Sequence, residues 1–209
     1  MTSNDIELCK KAAYKKWERI AQDMVKSGFN MPTRGIKTNV KDAYVRLVTC
    51  YQYCLSTIGE TFQVTPEIKQ VAEWLTNNEH KGLFLYGTCG RGKTFLARYV
   101  LPMIFKESMG KLPGYFDMTY AVRHTDEVLR ESIIILDDLG TEQKYQEYGT
   151  VRDTLAEIVD TAEKQGKMLI VTTNLTGKML EEAYGTRTYD RLLKLTKRVK
   201  YTGESFRRL

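Results

Sequence analysis

Gly87, Thr88, Cys89, Gly90, Arg91, Gly92, Lys93 and Thr94 follow one another in the spacing of a phosphate-binding P-loop, and Phe95 carries the chain on into a helix. The glycines let successive backbone N–H groups turn inward around a phosphate, Lys93 is placed to reach β and γ oxygens, and Thr94 offers a hydroxyl to Mg²⁺. The apolar run Leu83, Phe84, Leu85 and Tyr86 precedes the loop as a strand should. The helix behind it adds the positive end of its dipole. A nucleoside triphosphate with Mg²⁺ is therefore the expected ligand.

A second constellation supports the first. Ile133, Ile134, Ile135 and Leu136 form a continuous apolar run of the kind shown by a strand buried on both faces, and it ends in Asp137 and Asp138. Carboxylates at the C-terminal end of a parallel strand stand where ligands bind in open α/β sheets. Asp137 is the expected metal residue with Thr94, holding Mg²⁺ through water. Phosphoryl transfer needs charge stabilisation on the γ oxygens more than covalent chemistry, so a basic residue beyond Lys93 is also expected. The arginines near the C-terminus can supply it.

The elements that would position these groups read as strand and helix in alternation, which gives a parallel sheet with helices on both faces. Thr65 and Pro66 begin a helix carrying Ile68, Val71, Ala72 and Leu75. Strands are expected at 83–87, 114–119, 132–137, 168–173 and about 198–202, and helices at 93–107, 147–165 and 177–195. The 13 residues between Thr119 and Ile133 leave room for about one short helix. Ahead of this part, Ile6, Cys9, Ala13, Trp17, Ile20 and Met24 step by three and four along a helix from about 4 to 27. Gly28 to Gly35 breaks it, and a second helix at about 41–57 stacks Tyr44, Leu47, Val48, Tyr51, Cys54 and Leu55. These two helices either pack on the sheet or offer a face to another protein. The expected division is a helical partner-binding region over 1–60 and an ATPase domain over 61–209.

With 209 residues and 42% apolar content, the chain has room for one α/β domain and a small appendage. No apolar stretch approaches the roughly 20 residues of a membrane span, and Met1 to Glu7 has no signal-peptide character, so a cytoplasmic location without a membrane partner is expected. Cysteines at 9, 50, 54 and 89 match neither a disulfide framework nor a zinc site, and free thiols are expected. The net charge of +6 is uneven: residues 187–209 hold 8 basic and 2 acidic side chains. Such a segment suits phosphates of nucleotide or nucleic acid.

Lys81 to Gly87 running into the loop, Leu136-Asp-Asp-Leu-Gly140, Val171-Thr-Thr-Asn174, Gly185-Thr-Arg-Thr-Tyr-Asp-Arg-Leu192 and Ser205-Phe-Arg207 together resemble the DnaC/IstB-like helicase-loader ATPases of the AAA+ class, over roughly residues 65–209. The resemblance implies a five-stranded parallel sheet in the order 5-1-4-3-2 flanked by helices, a small N-terminal helical region and no C-terminal lid domain. It implies slow ATP hydrolysis, with Asp138 in the place of the residue that polarises water. Asn174 looks like sensor 1, Arg191 like an arginine finger reaching a neighbour's nucleotide with Arg187 as substitute, and Arg207 like sensor 2. The partners implied are a hexameric DnaB-type replicative helicase, single-stranded DNA, and further copies of the chain in the ATP state. An IstB-like regulator of transposition and a nucleotide-switched adaptor with negligible turnover remain alternatives.

Overall fold

Strands β1 (Gly82–Gly87), β2 (Gly114–Asp117), β3 (Ile133–Leu139), β4 (Met168–Thr173) and β5 (Thr196–Tyr201) form one parallel sheet in the order β2-β3-β4-β1-β5. This is the expected order, seen in a computed structural model that describes residues 3–29, 31, 33–141 and 150–206. The central strands β1, β3 and β4 are mostly apolar because both faces are covered, whereas the edge strand β5 carries Lys197, Arg198 and Lys200. Leu83, Leu85, Ile133, Ile135 and Ile170 point into one core cluster, while Phe84, Ile134, Leu136, Leu169 and Val171 point into the other.

On the first face lie α2 (Ala43–Ser56), α3 (Pro66–Thr76) and the helix that leaves the P-loop. That helix runs as α4 (Lys93–Phe95), a π turn (Leu96–Val100) and α5 (Leu101–Met109). Pro102 has no N–H to donate to the carbonyl of Arg98 four residues back, and the helix passes this point through the π turn. On the second face lie α6 (Met118–Arg123), α7 (Thr125–Arg130), α8 (Thr150–Gln165), α9 (Gly177–Tyr184) and α10 (Thr186–Leu195).

Several expectations change. The chain clusters into two units, Met1–Thr33 and Arg34–Leu209, so the break falls well before residue 60. The reason is α2: Ala43, Leu47, Tyr51 and Cys54 are buried in the first core cluster, while Tyr44, expected on that stripe, is 45% exposed. The first unit holds α1 (Ser3–Lys26), whose Tyr14 and Trp17 are exposed. Two short helices, not one, fill the space between β2 and β3, because Asp117 caps α6 by accepting from the Tyr120 N–H at 2.8 Å and the chain then breaks at His124. The single helix expected over 177–195 is divided by Gly185, at φ 83° and ψ 149°. The expected start of a helix near 147 lies outside the described residues. Cys50, Cys54 and Cys89 are free thiols, as expected. Among the described residues, no helix is long and apolar enough to cross a membrane.

Candidate nucleotide site

The P-loop turns where β1 ends, and two of its glycines are required by close approach. Gly87 has φ 116°, and a Cβ there would lie 2.2 Å from the backbone oxygen of Tyr201 on β5. Gly92 has φ 85°, and its Cβ would meet the Tyr51 hydroxyl, which donates to the Gly92 carbonyl at 3.1 Å. The loop borders a cavity of about 660 Å³, within the range of small-molecule sites, at the C-terminal end of the sheet.

Lys93, first residue of α4, is 4% exposed. Its Nζ donates to the carbonyls of Gly87 and Thr88, both at 2.8 Å, and to Asn174 Oδ1 at 2.7 Å. Residues from β1, the P-loop helix and the end of β4 are thereby joined at one ammonium. Asn174 Nδ2 lies 3.4 Å from Asp138 Oδ1, and both residues line the cavity with Thr94. Asp138 has φ 53°, in the left-handed region, and the β3–β4 register slips between Leu136 and Leu139. This local strain re-aims the side chain at the end of the strand.

Asp137 is 3% exposed, and both its oxygens accept hydrogen bonds. Thr172 Oγ1 on β4 donates to Oδ1 at 2.5 Å, and Tyr115 Oη on β2 donates to Oδ2 at 2.6 Å. Burial and then the bond to Asp137 push the Tyr115 phenol above its usual value, so it remains a donor at neutral pH. Each carboxylate oxygen keeps a second lone pair. Among the described residues no group of three or more His, Cys, Asp and Glu could cage a metal ion. A hydroxyl at Thr94 and one carboxylate at Asp137 suit Mg²⁺, which commonly keeps waters and shares its shell with phosphates. The donor set therefore fits the expected ion.

The other end of the cavity is aromatic. Tyr51 stacks on Phe62 at 4.4 Å between centroids and on Phe95 at 5.3 Å. Burial also raises the Tyr51 phenol above its ordinary value. Arg91, expected at phosphate, is fastened to the chain beyond β5: its guanidinium lies 4.2 Å from the Phe206 ring centroid, donates to the Glu204 carbonyl at 3.2 Å and faces Glu67 at 3.8 Å. Phe206 N–H donates to the Gly90 carbonyl at 3.0 Å. Burial pushes the Glu67 carboxyl up, but hydrogen bonds from Thr65 and from backbone N–H groups, with the Arg91 charge, outweigh it and leave the group below its usual value.

The arginines expected to act on a neighbour are not among the residues lining this cavity. Arg191 on α10 pairs with Asp160 at 2.5 Å and Glu163 at 3.5 Å on α8. Lys194 binds Glu163 at 2.7 Å, and Lys197 binds Glu79 at 2.9 Å, so much of the basic segment is matched within the chain. Lys164 and then Arg191 hold Asp160 below its usual carboxyl value, and Lys194 does so first for Glu163. Arg187 is exposed and makes no ion pair among the described residues. Arg207 lies outside the described residues. Sequence reasoning missed Tyr115, Thr172, Tyr51 and Phe62. The parallel register could have found Tyr115, which pairs with Ile135 and so shares a sheet face with Asp137.

No family model matches the chain, and no curated protein matches it. Solved structures do. The crystal structure of the DnaC helicase loader is 22% identical, over 73% of this chain and 98% of that one, with a TM-score of 0.58. That of DnaI is 20% identical over 60% of this chain and 72% of that one, with a TM-score of 0.50. DnaA from Aquifex aeolicus, bound to AMPPCP, is 18% identical over 68% of this chain and 49% of that one, with a TM-score of 0.53, so the match spans about half of that protein. Likeness at this level shows the fold alone: the second unit shares the α/β architecture of these proteins, built on a five-stranded parallel sheet.

Proposed function

We propose that this chain is an ATPase that binds ATP with Mg²⁺ in the P-loop cavity and uses the nucleotide state to grip a hexameric replicative helicase and place it on single-stranded DNA. The observation that carries the reading is the meeting of Lys93, Asn174 and Asp138 at the ends of β1, β4 and β3, with Lys93 Nζ 2.7 Å from Asn174 Oδ1. The fold likeness to a helicase loader and to a DnaA bound to AMPPCP supports it.

In this reading the P-loop N–H groups and Lys93 hold phosphates, while Tyr51, Phe62 and Phe95 receive the base. Thr94 and Asp137 hold Mg²⁺, which when bound neutralises charge on the phosphate oxygens. Asp138 accepts a proton from water that the Asn174 amide orients. The negative charge on the γ oxygens is stabilised by an arginine of a neighbouring copy, Arg191 or Arg187, since Arg91 is engaged with Glu204 and Phe206. Arg207 acts as sensor 2. Self-association in the ATP state follows from a site completed across copies. For DNA, α6 presents Tyr120 stacked on His124, with ring centroids 4.1 Å apart and both residues exposed beside Arg123. Exposed rings next to a cation are the means by which single strands are held without base readout. The helical region ahead of the sheet is assigned to the helicase.

Co-elution with the hexameric replicative helicase of the same host, in ATP, in ADP and without nucleotide, tests the reading. A complex that depends on nucleotide is expected. No complex in any state would contradict it, and filaments on duplex DNA would favour a transposition regulator.

A further inference from the structure

The carboxylate of Asp137 is held between two strands. Thr172 on β4 donates to one oxygen and Tyr115 on β2 to the other, at 2.5 and 2.6 Å, lengths usual for a hydroxyl on an ionised carboxylate. The terminal torsion of an aspartate is otherwise broad, so one donor on each oxygen from opposite sides fixes the carboxylate plane. Neither donor moves freely. Thr172 Oγ1 also accepts the Asp138 N–H at 2.9 Å, and the Arg98 guanidinium lies 5.1 Å from the centroid of the Tyr115 ring. Arg98 sits on the π turn of the P-loop helix and lines the cavity. The P-loop helix, β2 and β3 thus meet at Tyr115.

We infer that Tyr115 is a positioning residue of the metal end of the nucleotide site, acting through Asp137. The inference rests on the reading of Asp137 as the Mg²⁺ acid. Second-layer partners that orient a ligating carboxylate typically contribute about 10- to 100-fold in metal affinity, and the Tyr115 hydroxyl is such a partner. Its ring faces the Arg98 guanidinium, and its hydroxyl donates to Asp137.

The test is a titration of mant-ATP fluorescence on wild-type and Tyr115→Phe protein, first in EDTA and then with rising MgCl₂. Affinity in EDTA should be unchanged, while the Mg²⁺ concentration at half effect should rise about 10- to 100-fold. Tyr115→Met, which also lacks the hydroxyl, repeats the measurement should the Phe protein not fold. Asp137→Asn should raise the half-effect concentration at least as far, and adding Tyr115→Phe to it should shift it no further. If Asp137→Asn shifts the Mg²⁺ dependence and Tyr115→Phe does not, the inference fails and the metal assignment stands. If Asp137→Asn shifts nothing, the metal assignment fails and takes the inference with it. A lowered half-effect concentration in Tyr115→Phe would mean that the hydroxyl competes with the metal, which also overturns the inference. So would loss of affinity in EDTA, the mark of a merely structural role.

Discussion

Lys93 joins the P-loop and the end of β4 at one atom. Its ammonium donates to two P-loop carbonyls and to Asn174, so a phosphate entering the loop competes for the same three donors. The proposed phosphate grip and the proposed sensor are thereby linked without any intervening element. Cys89 reports on the same place. It is exposed in the P-loop, whereas Cys54 is buried and burial pushes the Cys50 thiol up to about 12. In a Cys9→Ser background, iodoacetamide should therefore modify Cys89 first, and ATP with Mg²⁺ should slow that reaction. Mass spectrometry of the alkylated peptide checks this; an equal rate with and without nucleotide would place the ligand elsewhere. The P-loop and the acidic strand end were legible in the sequence because their spacing is local. The Tyr115–Asp137 bond was not, because it depends on the register in which β2 and β3 pair, which strand order alone does not fix.

Among the elements, α2 carries the largest change from what the sequence suggested. Its stripe was visible as a stripe, but periodicity does not say what a stripe packs against. In the fold, Leu47 is fully buried and Tyr51 reaches the Gly92 carbonyl, so α2 supports the P-loop helix from outside. Leu47→Ala should cost about 2–5 kcal/mol, the range for a buried leucine, read from urea unfolding. A change under about 0.5 kcal/mol, ordinary for surface sites, would return α2 to the N-terminal unit. The break at Gly185 was missed for a related reason: the residues on either side keep a helical pattern, and one glycine in that pattern is only a weak stop signal. The division of α9 from α10 matters because it sets where Arg187 and Arg191 project. Both stand on α10, one turn apart, and Arg191 is drawn onto α8 by Asp160 and Glu163.

At the scale of the whole molecule, the layering followed from the alternation of apolar runs and helices, whereas the strand order was implied by the family resemblance, and the sheet β2-β3-β4-β1-β5 has the expected neighbours. Which residues act across copies is a property of an assembly, and one chain's sequence holds only half of each contact. A mixing experiment addresses it. Arg191→Ala protein should bind ATP without turnover, and mixing it with Asp137→Asn protein should restore part of the activity, because some junctions then hold an intact finger and an intact site. No recovery, with Arg187→Ala behaving the same way, would mean that the site is completed within one chain. Beneath all of these readings lies the claim that the P-loop cavity binds nucleotide through Lys93. The most direct measurement is calorimetric titration of ATP with Mg²⁺ into wild-type and Lys93→Ala protein, both shown folded by their melting curves. Saturable binding to wild type at one site and none to Lys93→Ala are expected. Equal binding to both would contradict that claim.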